Sequence, residues 1–173
     1  KGLSSQFSDR EYRLTVQTEA GGTEGIIETE DNNTIATADT LIEGTAIKGR
    51  LMEYGDRDVF SIEVASEGVI TADFNQIEGA NSYTNFVVEI LSEDGVVLNS
   101  QKAQDWVQLT NPDGGYGGNV VSASLSSAVT TPGTYYVRVS ENDPNGYNNN
   151  FDFEYSLTVQ TEAGGTEGII ETE

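Results

Sequence analysis

Two clusters of oxygen-bearing side chains have spacings that suit metal chemistry. The first, Glu28-Thr29-Glu30-Asp31-Asn32-Asn33, is the dense end of a stretch, Thr18 to Asn33, that holds five acids and no base. The second, Glu53-Tyr54-Gly55-Asp56-Arg57-Asp58, sits at the mouth of an apolar–polar alternation. In an extended chain, residues two apart point to the same side. Glu28, Glu30 and Asn32 then form one comb of oxygens, and Asp56 and Asp58 a second. Calcium takes roughly six to eight hard oxygens from carboxylates, amides and backbone carbonyls, and two facing combs would make a cage for it. Without a cation the combs would repel each other and loosen the first segment. The other reading is of solvated loop acids, with Asp31-Asn32-Asn33 as a turn or helix cap. No EF-hand pattern is present, and Gly114-Gly115-Tyr116-Gly117-Gly118-Asn119 reads as a flexible loop.

Covalent and acid–base chemistry have little to work with. The chain has no His and no Cys, and its lysines are Lys1, Lys48 and Lys102. Neither a Ser-His nor a Cys-His pair can form, so nucleophilic catalysis lacks its usual base. Paired carboxylates of the glycosidase kind are available in number, but they usually act in an aromatic-lined cleft, and there is one Trp. The chain is therefore read as non-catalytic. Its net charge of −21, from 29 acids and 8 bases, argues against nucleic acid and anionic membranes as partners, since both need a basic face. No apolar run approaches membrane-spanning length. With no disulfide to stiffen it, a secreted domain of this kind can gain rigidity from bound calcium.

The elements that must position these residues are strands. Period-two alternation runs through Asp58–Val64, Val69–Phe74, Asn85–Ile90, Val120–Leu125, Thr134–Val139 and Tyr155–Val159. Turn chemistry separates these runs at Ser66-Glu67-Gly68, Glu93-Asp94-Gly95, Thr131-Pro132-Gly133 and Asp143-Pro144-Asn145-Gly146. No segment has a convincing helical period; Thr34–Leu41 comes nearest. Many short strands with Gly, Asn and Pro turns imply an all-β fold, an antiparallel jelly-roll-like β-sandwich. Ala103–Asn119 is expected to be a long surface loop. In it Trp106 and Tyr116 either offer a stacking platform for a protein or glycan partner or fold back as a cap.

The chain also repeats itself. Leu14–Glu30 and Leu157–Glu173 are identical over 17 residues, 143 positions apart, and Glu11-Tyr12 recurs as Glu154-Tyr155. A period of this length gives whole domains in a row. Residues 1–17 are thus read as the last strand of a preceding repeat and 18–30 as an acidic linker. Residues 31–160 form one complete sandwich, and 161–173 the next linker. The strand Leu14-Thr15-Val16-Gln17, duplicated at residues 157–160, could add to or replace its twin in another molecule, giving self-association by strand exchange or a filament.

The ordered motifs resemble the bacterial pre-peptidase C-terminal domain family, which includes the collagen-binding domains of clostridial collagenases. They are the Glu-x-Glu-x-Asn-Asn linker at residues 28–33, Ala38-x-x-Leu41, Ile47-x-Gly49-x-Leu51, Gly55-Asp56-Arg57-Asp58-Val59-Phe60-x-Ile62-x-Val64, Pro132-Gly133-Thr134-Tyr135-Tyr136-Val137-Arg138-Val139 and Tyr155-x-Leu157-x-Val159. The resemblance implies a jelly-roll-like sandwich with a non-catalytic accessory role in secreted proteins. In the collagenase members it further implies calcium held between the linker and the loop before a strand. By matching positions it assigns Glu28, Glu30, Asn32, Asp56 and Asp58 as ligands, with Asn33 and Glu53 beside them. The spacing of acids before Phe60 differs from the collagenase pattern, and the collagen-contacting aromatics have no matched positions. The combined expectation is a calcium-binding repeat of a large extracellular or surface bacterial protein, adhesin-like, whose partners are neighbouring repeats.

Overall fold

Alternation of apolar and polar residues becomes two sheets whose apolar faces meet. The computed structural model describes residues 26–52, 55–77, 86–103, 105–110, 116–141 and 154–164. Leu14, Thr15, Val16, Gln17, Glu53 and the expected turn at 143–146 lie outside the described residues. The strands are β1 (Ile26–Ile27), β2 (Asp39–Thr40), β3 (Ile47–Arg50), β4 (Arg57–Val64), β5 (Gly68–Gln76), β6 (Phe86–Leu91), β7 (Val97–Lys102), β8 (Asp105–Thr110), β9 (Tyr116–Val129), β10 (Gly133–Glu141) and β11 (Glu154–Ala163). One sheet has the order β1-β3-β11-β5-β9-β8, the other β2-β4-β10-β6-β7. All neighbours are antiparallel except two short edge pairs, β1 with β3 and β2 with β4. The fold is the expected all-β sandwich.

The core is built from every second residue of the long strands. Phe60, Ile62 and Val64 of β4 and Val137 and Val139 of β10 face Ile70, Ala72 and Phe74 of β5 and Tyr155, Leu157 and Val159 of β11. Three rings form a knot at one end of this core: Phe74 and Phe86 are 4.9 Å apart between centroids, Phe74 and Tyr155 5.3 Å, and Phe86 and Tyr155 6.2 Å. Aromatic rings carry more apolar area than any other side chains, so this knot anchors that end of the sandwich.

One expectation is corrected. Ala103–Asn119 is not one long loop, because β8 pairs with β9 from Asp105↔Ser122 to Thr110↔Tyr116. Trp106, Val107 and Val120 are strong strand formers, and they outweigh the Gly-rich stretch that suggested a loop. Thr34–Leu41, the nearest approach to a helical period, forms no helix, in keeping with the sequence reading. A turn closes where the Thr37 N–H donates to the Thr34 carbonyl at 3.0 Å, and β2 follows. In addition, β11 runs to Ala163, so the first three residues read as linker are strand.

Candidate metal centre

The site grows from the edge of the six-stranded sheet. At β1, the Ile26 N–H donates to the Ala46 carbonyl at 3.1 Å and the Glu28 N–H to the Lys48 carbonyl at 2.9 Å. That pairing lays the Glu28 carboxylate over β3, where its Oε1 accepts the backbone N–H of Arg50. The chain then crosses to the other sheet. The Val59 N–H donates to the Asn32 carbonyl at 3.1 Å, and the Arg57 N–H to Asn33 Oδ1 at 3.1 Å. The segment 28–33 therefore bridges the two sheets at one end of the sandwich. The peptide bond between Glu30 and Asp31 is cis.

Asp58 meets this segment from the core side. It continues the inward alternation of Phe60, Ile62 and Val64, and it is completely buried. Carboxylate oxygens of Glu28, Glu30 and Asp58 all lie within 4.8 Å of one another. Tyr155, whose ring belongs to the aromatic knot, donates its hydroxyl to Asp58 Oδ2 and also lies 3.3 Å from Glu28 Oε2. Gly49, opposite Tyr155 in register, leaves room for both. A Cβ there would run into the Tyr155 phenol and come within 2.7 Å of Glu28 Oε2.

The electrostatics of the cluster are those of buried like charges. Burial first, with the charge of Glu30 adding to it, pushes the Glu28 carboxyl up to about 7, against hydrogen bonds from Arg50 and Asn32 that pull it down. Burial, then the Glu28 charge, pushes Asp58 up to about 9. Tyr155 is raised well above the ordinary phenol range by burial and by the two carboxylates it faces. Carboxyls so placed hold protons well above the ordinary carboxylate range, Asp58 still at neutral pH, unless a cation takes their place.

Whether these residues fit a divalent cation is answered by two buried atoms. Asn32 is fully buried, with its Nδ2 donating to Glu28 Oε2 at 3.3 Å and Asp39 Oδ2 at 3.5 Å. Among the described residues its Oδ1 has no hydrogen-bond partner, and neither has Asp58 Oδ1. A buried oxygen acceptor left unmatched is costly. Calcium bonds of about 2.3–2.6 Å put oxygens on opposite sides of an ion about 4.6–5.2 Å apart, the scale of this cluster. The donor set is all oxygen, which suits a hard cation. The residues fit.

Other expected site residues fall elsewhere. Asp56 is buried, but its oxygens accept backbone N–H groups of Met52 at 2.5 Å and Arg57 at 2.9 Å, so it clamps the turn before β4. Asn33 holds the Arg57 N–H. Trp106 lies on β8 and Tyr116 on β9. Three contributors were not foreseen. Asp39 accepts the Thr29 N–H at 2.6 Å, Tyr155 holds Asp58, and Gly49 makes space. A glycine inside a strand, as in Ile47-Lys48-Gly49-Arg50, is the one signal that could have pointed there. Beside the cluster, Ile27, Lys48, Arg50, Met52 and Glu154 flank an open groove of about 340 Å³.

No family model matches the chain, and no curated protein does. Among solved structures it is similar to the pre-peptidase C-terminal domain of a collagenase from Bacillus anthracis. That match has 24% identity and a TM-score of 0.44, and it covers 71% of this chain and 94% of that one. It is also similar to PliG of Aeromonas hydrophila, a periplasmic inhibitor of g-type lysozyme. There the identity is 11% and the TM-score 0.46, with 72% of this chain and 96% of that one covered.

Proposed function

We propose that this chain is a non-catalytic, calcium-binding β-sandwich module of a large secreted or surface bacterial protein, in which the cation fixes the acidic linker to the sandwich. The observation that carries this reading is the pair of unpartnered buried oxygens, Asn32 Oδ1 and Asp58 Oδ1, beside the carboxylates of Glu28 and Glu30. Glu28, Glu30, Asn32 and Asp58 would hold the ion, and Tyr155 would orient Asp58. The cation would supply the positive charge that the cluster lacks. The residues' own work is to bridge β3 and β11 in one sheet to β4 in the other, with the linker between them.

The linker repeats at residues 161–173, so each joint of a tandem array would use the same device, as an extender in an adhesin-like protein does. Among the described residues no helix is long and apolar enough to cross a membrane. The test is calorimetric titration of calcium into chelator-treated protein, paired with melting curves. Saturable binding at a 1:1 ratio with a raised Tm is expected, both lost in Asp58→Asn. No heat and no Tm change at millimolar calcium would sink the reading.

A further inference from the structure

The cations of this acidic chain are gathered rather than scattered. The described residues hold Lys48, Arg50, Arg57, Lys102 and Arg138, and the last three line one open groove of about 770 Å³ on the outer face of the five-stranded sheet. Strand register puts them there. Arg57 of β4, Ser140 of β10, Val87 of β6 and Lys102 of β7 stand opposite one another in one row, and Val59, Arg138, Glu89 and Ser100 form the next. Three strand steps of about 4.8 Å put Arg57 and Lys102 about 14 Å apart at the backbone, as opposite walls. Arg138 rises from the floor between them.

The acids bordering the groove do not neutralise its walls. Glu89 Oε2 accepts from Arg138, Nε at 2.7 Å and Nη2 at 2.5 Å. Asp56 accepts the backbone N–H groups of Met52 and Arg57. Glu141 shares parity with the core residues Val137 and Val139 and is itself partnered. Arg57 and Lys102 are exposed, and among the described residues neither side chain has a salt-bridge partner. Glu89 uses only part of the Arg138 donor set, so that guanidinium can face a ligand as well. The surrounding surface is acidic, but at physiological salt the field of exposed charges fades over about 8 Å. A short anion inside the groove therefore meets the groove's own cations first.

The lining selects among anions. Peptides are held on sheets by an open strand edge or by apolar pockets. Here the floor strands β10 and β6 are paired on both sides, and Val87 is the one apolar side chain among the described lining residues. What lies between the cations is hydroxyl and carboxylate, Ser140, Ser100 and Glu89, which suits sugar hydroxyls. We propose that this groove binds a short stretch of an acidic polysaccharide, with uronate carboxylates paired to Arg57, Lys102 and Arg138 and ring hydroxyls on the serines and Glu89. The site is separate from the calcium cluster, since Asp58 points into the core and the groove lies on the opposite face of β4.

The test is titration of tetragalacturonate into the isotope-labelled full chain, followed by amide NMR, with its methyl ester and hexaglutamate as comparison probes. Saturable shifts are expected at Arg57, Val87, Lys102 and Arg138 with the uronate, and only weak ones with the neutral ester or the peptide. Arg57→Gln/Lys102→Gln should weaken the uronate by about tenfold or more, because charge-assisted hydrogen bonds are lost at both walls, while the Tm stays unchanged. Absence of shifts at millimolar uronate would overturn the proposal, as would equal affinity in the double variant. An ester that binds as tightly would show that the carboxylates are not read, and hexaglutamate that matches the uronate would show a groove for any polyanion. Either result would also overturn it.

Discussion

Asp58 illustrates how one residue can hold opposite roles in two states. Without a cation it is a buried carboxyl with an unpartnered oxygen beside two other acids, and it destabilises the fold when charged. With a cation it would be, together with Asn32, one of the two fully enclosed ligands. Asp58→Asn should therefore leave the metal-free Tm unchanged or higher while removing the calcium-induced rise, a divergence that melting curves with and without chelator read directly. Tyr155→Phe keeps the ring in the aromatic knot but removes the donor to Asp58. Loss of such an orienting partner typically costs about 10–100-fold in metal affinity, and calorimetry should find that loss together with a lower metal-free Tm, because Asp58 Oδ2 is left buried without its donor. Gly49→Ala acts by crowding. Its methyl meets the Tyr155 phenol and Glu28 Oε2, so both calcium affinity and stability should fall together, and an unchanged titration would show that the close approach is not needed.

At the scale of elements, β1 is the weakest piece that the site depends on. It has two residues, and Ile26 and Ile27 are 41% and 76% exposed, so little apolar burial holds it. Its attachment comes from backbone pairing with β3 and from the carboxylates that follow it. Chelation should accordingly speed amide hydrogen exchange at Glu28 and its neighbours while leaving the β5–β11 pairing protected, as expected for a low-stability unit on a stable frame. Equal protection in both states would place the hold in the backbone pairs alone. The long strands were legible because one face is buried and alternation records that. Asp58 could be placed for the same reason, since it shares parity with Phe60, Ile62 and Val64. The two-residue edge strands β1 and β2 leave no periodic trace. The β8–β9 pairing was obscured by glycines at 114, 115, 117 and 118. Tyr155 and Asp39 were invisible because they reach the cluster across 127 and 11 residues of chain respectively from Glu28, a proximity created only by folding.

At the scale of the whole molecule, pH separates the buried cluster from the general acidity. The sign follows from the raised carboxyls. Asp58 moves from 3.8 when unfolded to about 9 when folded without metal, and Glu28 from 4.5 to about 7. The folded state binds protons more tightly at both. Their contribution to stability is fully present below about pH 4 and is lost as pH rises, through about 7 for Glu28 and about 9 for Asp58. The metal-free Tm should fall across that window, whereas the rise in Tm on adding calcium should grow across it, because the cation no longer competes with protons. Repulsion among the surface acids of a chain with net charge −21 acts in the same direction on the metal-free protein. That term is set mainly below pH 6 and is screened by salt, with a Debye length of about 3 Å at 1 M. A decline between pH 6 and 9 that survives 1 M NaCl and shrinks in Asp58→Asn to the part near pH 7 set by Glu28 would belong to the cluster. A decline abolished by salt and indifferent to Asp58→Asn would belong to the surface, and the raised carboxyls would then have no part in the stability of this fold.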